Sequence, residues 1–148
     1  MNRSLRGAIA ALLLVVPAAV SAAADITMHR DPGCGCCEKW ATQVRHQFGR
    51  NVRIIDDANR ATLQRQVGVP SSLGSCHTAI INGLAFEGHV PIADMKRVLT
   101  QRPSGVRGLA VAGMPMGSPG MEVAGMKAQP YDVIAFGVGG SRRYAHHS

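Results

Sequence analysis

Cys34, Cys36 and Cys37 lie within four consecutive positions, in the run Asp31-Pro32-Gly33-Cys34-Gly35-Cys36-Cys37. Cys34 and Cys37 have the C-x-x-C spacing, and Cys36 adds a third sulfur within reach. Cysteines this close restrain little chain entropy when cross-linked, so bracing the fold is a poor reason for the cluster. Two chemistries use sulfurs at such spacing: coordination of a soft metal ion by thiolates, and thiol–disulfide exchange. The plainer alternative is a set of small buried residues or a stabilising disulfide. The fourth cysteine, Cys76, stands far along the chain beside His77.

The elements around the cluster can be read from periodicity. Asp25 to Arg30 reads as a short strand with Ile26 and Met28 on one side, and Asp31-Pro32-Gly33 is turn chemistry. From Cys34 a helical period appears, with Cys37, Trp40, Ala41, Val44 and Phe48 at i, i+3, i+4, i+7 and i+11. Gly49 suits its C-terminal cap. The cysteines therefore sit at a helix N-terminus. There, free N–H groups and the positive end of the helix dipole favour thiolate over thiol.

Val52 to Asp56 is a β-branched strand, and Asn59 can cap a second helix through Val67, closed by Gly68 and Pro70. His77 to Ile81, Asn82-Gly83 and Leu84 to Glu87 predict a hairpin with a tight turn. Pro91 opens a third helix, buried through Ile92, Met95, Val98 and Leu99, and Pro103 stops it. The expected class is α/β: a thioredoxin-like βαβα-ββα core, with a Met/Gly/Pro-rich loop and an extra C-terminal strand. Ser104 to Gln129 reads as the long irregular loop, Tyr131 to Phe136 as the added strand, and Tyr144 to Ser148 as a frayed tail.

In a thioredoxin-like fold the loop before the third strand packs against the N-terminus of the first helix. Here that loop is Gly74-Ser75-Cys76-His77-Thr78, with a thiol and an imidazole where such folds usually carry a cis-proline. Cys76 and His77 are then expected to face Cys34, Cys36 and Cys37. The hairpin's return strand should bring Glu87 and His89 to the same edge, although His89 could equally be a surface histidine ahead of a helix. His29 and His46 have weaker claims, and His46 falls on the polar side of its helix. Met95 belongs to a core stripe. Met114, Met116, Met121 and Met126 lie in the irregular loop, where they could be soft thioether ligands or a flexible apolar lid. His146 and His147 are a paired-histidine tail of the kind that binds metal nonspecifically.

Composition narrows the setting. Residues 1–24 run from basic (Arg3, Arg6) through an apolar stretch to small residues, the order of a secretory signal peptide with cleavage expected after Ala24. The apolar stretch is short for a membrane span of roughly 20 residues, so an uncleaved anchor fits less well. Removing two arginines lowers the formal charge from +7 to +5 over 124 remaining residues. The basic residues are scattered and few aromatics accompany them, which argues against nucleic-acid binding. A periplasmic domain of residues 25–148, free of the membrane after cleavage, is the expected product. A domain of this size can bury an adequate core without staples.

Several longer motifs go further. Asp31-Pro-Gly-Cys-Gly-Cys-Cys-Glu-Lys-Trp40, Gly68-Val-Pro70, Ser75-Cys-His-Thr78 and Glu87-Gly-His-Val-Pro91 stand beside Gly113-Met-Pro115, Gly117-Ser-Pro-Gly-Met-Glu122 and Pro130-Tyr-Asp132. Over these stretches the chain resembles the CopG-like family of exported bacterial proteins, formerly described only as a domain of unknown function. That resemblance implies a thioredoxin-like fold and a part in copper resistance. It also implies Cys34, Cys36, Cys37, Cys76 and His77 as the copper-binding group, with His89 and the Met-rich loop in less defined roles.

The residues agree with copper on chemical grounds. Zinc accepts thiolates, but its closed sites usually draw on two separated pairs. Crowded thiolates can bridge several Cu(I) ions, and soft sulfur favours Cu(I). Adjacent Cys36-Cys37 fits iron–sulfur ligand spacing badly. The rival function is a thiol–disulfide oxidoreductase using Cys34 and Cys37. A copper cargo would imply copper-export or chaperone proteins of the same compartment as partners.

Overall fold

In the computed structural model, which describes residues 25–148, the chain runs β1 (Ile26–Arg30), α1 (Gly35–Phe48), β2 (Val52–Asp56) and α2 (Arg60–Val67). A short 3-10 turn at Ser71–Leu73 leads to β3 (His77–Ile81), β4 (Leu84–Glu87) and α3 (Ile92–Gln101), then β5 (Val106–Ala110), β6 (Tyr131–Gly137) and β7 (Gly140–His147). The seven strands form one mixed sheet in the order β2-β1-β3-β4-β5-β6-β7. β1 is parallel to β2 and antiparallel to β3, β3 is antiparallel to β4, and β4 is parallel to β5. The expected signal peptide lies outside the described residues. Among those residues no helix is long and apolar enough to cross a membrane.

Strand alternation sorts the helices onto the two faces of the sheet. Ile26, Met28, Ala79, Ile81, Leu84, Phe86, Leu109, Val133 and Ala135 join one buried cluster with Trp40, Ala41 and Val44 of α1 and Met95 and Val98 of α3. Ala85, Ala110 and Phe136 point the other way, into a smaller cluster with Val69 and the partly buried Val67, Leu73 and Ile80. α1 and α3 therefore cover one face, and α2 the other. Burying each large apolar side chain contributes roughly 1.5–3 kcal/mol before entropy is set against it. Met95 is fully buried, as its helical stripe requires.

The C-terminal third departs from the expectation in two places. Val106–Ala110 is strand β5, inside the stretch read as irregular, where it pairs with both β4 and β6. Its interior Gly108 blurs the strand signal. The glycine is needed there, because a Cβ would collide with the Ala85 carbonyl and the Phe136 ring. Tyr144 to His147 is not frayed either, since β7 pairs with β6 along its length across a turn made by Gly139 and Gly140 at φ +93° and +99°. As an edge strand β7 carries Arg142 and Arg143, charges that discourage pairing with another chain.

Candidate metal centre

Sheet topology explains how distant residues meet. β1 and β3 are antiparallel, so β1 ends at Arg30 where β3 begins at His77, its register partner. The chain leaving β1 turns into α1 at the same end of the sheet from which β3 starts. The Asp31 N–H donates to the Cys76 carbonyl (3.0 Å), fastening the two loops together. β4 is antiparallel to β3, so its end also returns there and carries His89 past Glu87.

Cys34 is the N-cap residue of α1, in extended conformation and with no side-chain capping bond. Cys36 and Cys37 occupy the first turn. Arg30 holds this entrance, its guanidinium donating to the Cys34 carbonyl (3.0 Å), Glu38 (2.8 Å) and Asp56 (2.6 Å). Cys34 and Cys37 are joined in a disulfide, leaving Cys36 half-buried and Cys76 buried as free thiols. Each free thiol touches a different sulfur of the bridge. Cys36 Sγ lies 3.4 Å from Cys34 Sγ, and Cys76 Sγ lies 3.3 Å from Cys37 Sγ. The four sulfurs all fall within 4.8 Å of one another, and Cys76 belongs to a second such group with His77 and His89.

The two imidazoles are buried beside the thiols. His77 Nδ1 is 3.6 Å from Cys76 Sγ, and its Nε2 is buried without a hydrogen-bond partner. Its ring lies against Trp40, with centroids 4.5 Å apart, and edge-on to His89 at 5.0 Å. His89 Nδ1 donates to the Pro119 carbonyl (2.8 Å), which places the proton on that nitrogen and turns the Nε2 lone pair toward Cys76 Sγ, 3.2 Å away. Burial pushes both histidines below their usual range, His77 far below. Both are therefore neutral near pH 7, the form that binds metal. Burial also pushes the Cys76 thiol up to about 12. A bound cation would reverse that shift, since a metal ion favours the thiolate.

The expected cluster of Cys34, Cys36, Cys37, Cys76 and His77 is thus brought together, and His89 joins it. Glu87 reaches the same end of the sheet but points to the face covered by α2. There it accepts from Ser75 N–H (2.8 Å), Gln64 (2.6 Å) and Thr78 Oγ1 (2.5 Å), with Arg60 3.6 Å away. His29 pairs with Asp57 (3.0 Å), and His46 is exposed. His146 and His147 engage Asp132 and Asp94, each at 2.7 Å. In the loop Met114 and Met126 are largely exposed, while Met116 and Met121 are half-buried.

One contributor carried no sequence signal. Arg60 opens α2 and donates to Asp31 (2.9 Å) and the Ser75 carbonyl (2.5 Å), bridging the two cysteine-bearing loops. Within the Gly117–Glu122 motif a second contributor is found. Pro119-Gly120 covers the centre. Gly120 has φ +85°, and a Cβ there would stand 2.7 Å from the Cys36 carbonyl and 2.9 Å from the Trp40 nitrogen. Gly120→Ala is therefore expected to lift the loop off α1 and cost about 2 kcal/mol of unfolding free energy. New proteolytic cuts between residues 112 and 130 would accompany the loss; wild-type cleavage and stability would show that the loop does not depend on this contact.

Residues 73–121 match the family described as "Protein of unknown function, DUF411". No curated protein matches the chain. Two solved structures are similar over most of its length. "Copper resistance protein copG- Form 1" is 37% identical, covers 85% of this chain and 98% of its own, and superposes with a TM-score of 0.76. "Copper resistance protein copG- Form 2" is 38% identical over 84% and 98%, with a TM-score of 0.75. With that identity along nearly the whole of both relatives, the chain belongs to the family of the copper resistance protein CopG.

Proposed function

We propose that this is an exported, periplasmic copper-binding protein of copper resistance that holds Cu(I) among Cys34, Cys36, Cys37, Cys76 and His77, with His89 as a further ligand. The core that presents these residues is, in this proposal, thioredoxin-like. The element order β1, α1, β2, α2, β3, β4, α3 and the sheet order β2-β1-β3-β4 support that reading. The observation that carries the proposal is the packing of four sulfurs within 4.8 Å of one another, beside two histidines that share Cys76. Sulfur at this density is a donor set for soft ions, and bridging thiolates can hold more than one. The His77 Nε2 that lacks a partner is a second sign, because a buried polar atom is costly unless something meets it. Met114, Met116 and Met121 enter as thioether ligands of a loop that closes over the copper. Copper here is cargo, received from and passed to copper-export or chaperone proteins.

The disulfide gives copper binding a redox condition. Cys34 and Cys37 cannot act as thiolates while bridged, so two electrons from an external dithiol are needed to free them. Copper analysis of the protein in both states, with free-thiol counts, tests this. Reduced protein should retain several Cu(I) per chain, and the oxidised form less than half as much. Equal copper in both states would take Cys34 and Cys37 out of the site.

The same disulfide favours a second function, a thiol–disulfide oxidoreductase working through Cys34 and Cys37. Turnover of an insulin-type disulfide substrate by metal-free protein that binds no copper would establish it. Absence of turnover with several copper equivalents bound would exclude it.

A further inference from the structure

We propose that the protein carries out an internal disulfide exchange, in which Cys76 attacks Cys37 and transfers the bridge from Cys34–Cys37 to Cys37–Cys76. The attacking sulfur is adjacent, with Cys76 Sγ 3.3 Å from Cys37 Sγ and buried beside it. Cys76 Sγ also lies within 4.8 Å of Cys34 Sγ, so the three sulfurs are bent, and a turn of the Cys76 side chain must bring them into line for attack. The bond between Cys37 Sγ and Cys76 Sγ forms as that between Cys34 Sγ and Cys37 Sγ breaks. One thiol is oxidised and one sulfur of the old bridge is reduced, so no outside oxidant or reductant takes part. The Cys76 proton passes to His89 Nε2, 3.2 Å away and held as an acceptor by the bond from Nδ1 to Pro119, and from there to solvent, while Cys34 leaves as the thiolate.

The leaving group is placed to leave. Cys34 is the N-cap residue of α1, so its sulfur departs as a thiolate into the positive end of the helix dipole. A stabilised thiolate leaves faster in exchange reactions. Cys36 also touches the bridge, 3.4 Å from Cys34 Sγ. Its attack would close a disulfide across a single intervening residue and expel the buried Cys37, a poorer leaving position. The exchange belongs on the minutes-to-hours scale of unassisted disulfide rearrangement.

Exchange changes what faces solvent. Before it the free thiols are the half-buried Cys36 and the buried Cys76; afterwards they are Cys34 and Cys36, both half-buried at the helix entrance. The oxidised protein then displays a Cys-x-Cys dithiol able to take one soft cation without prior reduction. This consequence rests on the proposed copper function, whereas the exchange itself does not.

The test uses oxidised, metal-free protein incubated with a fast alkylating reagent before unfolding, then peptide mapping without reduction. Wild type should accumulate label on Cys34 and Cys36 together with a Cys37–Cys76 linked peptide, at a rate independent of protein concentration. Cys76→Ser should label Cys36 alone and keep the Cys34–Cys37 link. The proposal is overturned if wild type never labels Cys34. Labelling of Cys34 that persists in Cys76→Ser, or that scales with protein concentration, overturns it equally. Because no metal is present, failure here leaves copper binding untouched, and loss of copper binding leaves this result standing.

Discussion

Cys76→Ser is expected to lower the Cu(I) affinity of the reduced protein by more than tenfold while leaving the fold intact. Cys76 is the one residue common to both ligand groups, the four sulfurs and the sulfur with two imidazoles. Replacing its sulfur breaks both at once. Changing groups that merely orient metal ligands already costs about 10–100-fold in affinity, so loss of a shared ligand should cost at least as much. The fold should survive because serine is close in shape and its hydroxyl can donate to His89 Nε2. Burial of the hydroxyl costs about 1 kcal/mol when a partner is present. Cys36→Ser is the informative contrast, since Cys36 belongs to the sulfur group only and sits at its half-buried rim. Competition against a chromophoric Cu(I) chelator, with circular dichroism as the check on folding, measures both variants. Unchanged copper affinity in Cys76→Ser would remove Cys76 from the site.

The difference between what could and could not be read beforehand follows from the range of the forces involved. α1 was legible because Cys37, Trp40, Ala41 and Val44 keep a helical period and are all buried on one face. The β3–β4 hairpin was legible because Asn82-Gly83 adopts the positive φ values, 48° and 79°, that its tight turn demands. The meeting of Cys76 with the first three cysteines followed from strand order alone. β5 was hidden because its glycine answers to the backbone of β4 rather than to local propensity. β7 was hidden because Arg142, Arg143, His146 and His147 look like a solvated tail, and only the pairing with β6 and the contacts of the histidines with Asp132 and Asp94 make them a strand. Glu87 was placed at the correct end of the sheet, but its face depends on strand alternation counted from the hairpin. Arg60 left no trace, since an arginine opening a short helix is ordinarily a surface residue.

That buried Arg60–Glu87 pair sets up the second large effect. Glu87 is fully buried and gathers Ser75 N–H, Gln64 and Thr78, while Arg60 joins Asp31 ahead of Cys34 to the Ser75 carbonyl ahead of Cys76. The pair therefore fixes the separation of the two cysteine-bearing loops from the opposite face of the sheet. Glu87→Ala leaves three buried donors without their acceptor and strips Arg60 of one of its two carboxylates, and is expected to cost about 2–4 kcal/mol of stability. Copper affinity should fall about 10–100-fold in the fraction that still folds, as for other groups that orient ligands. Glu87→Gln separates shape from charge. Burial raises the Glu87 pKa above its usual 4.5, outweighing the hydrogen bonds and Arg60 that pull it down. The folded state therefore holds this proton more tightly than the unfolded chain, so the stability it contributes is present below the usual carboxylate pKa. That contribution is lost as pH rises through the elevated folded value. Denaturant unfolding across this interval should show wild type weakening with rising pH from this group, and Glu87→Gln lacking that component. A Glu87→Ala protein as stable as wild type, with undiminished copper affinity, would mean that the two loops hold their separation without the brace.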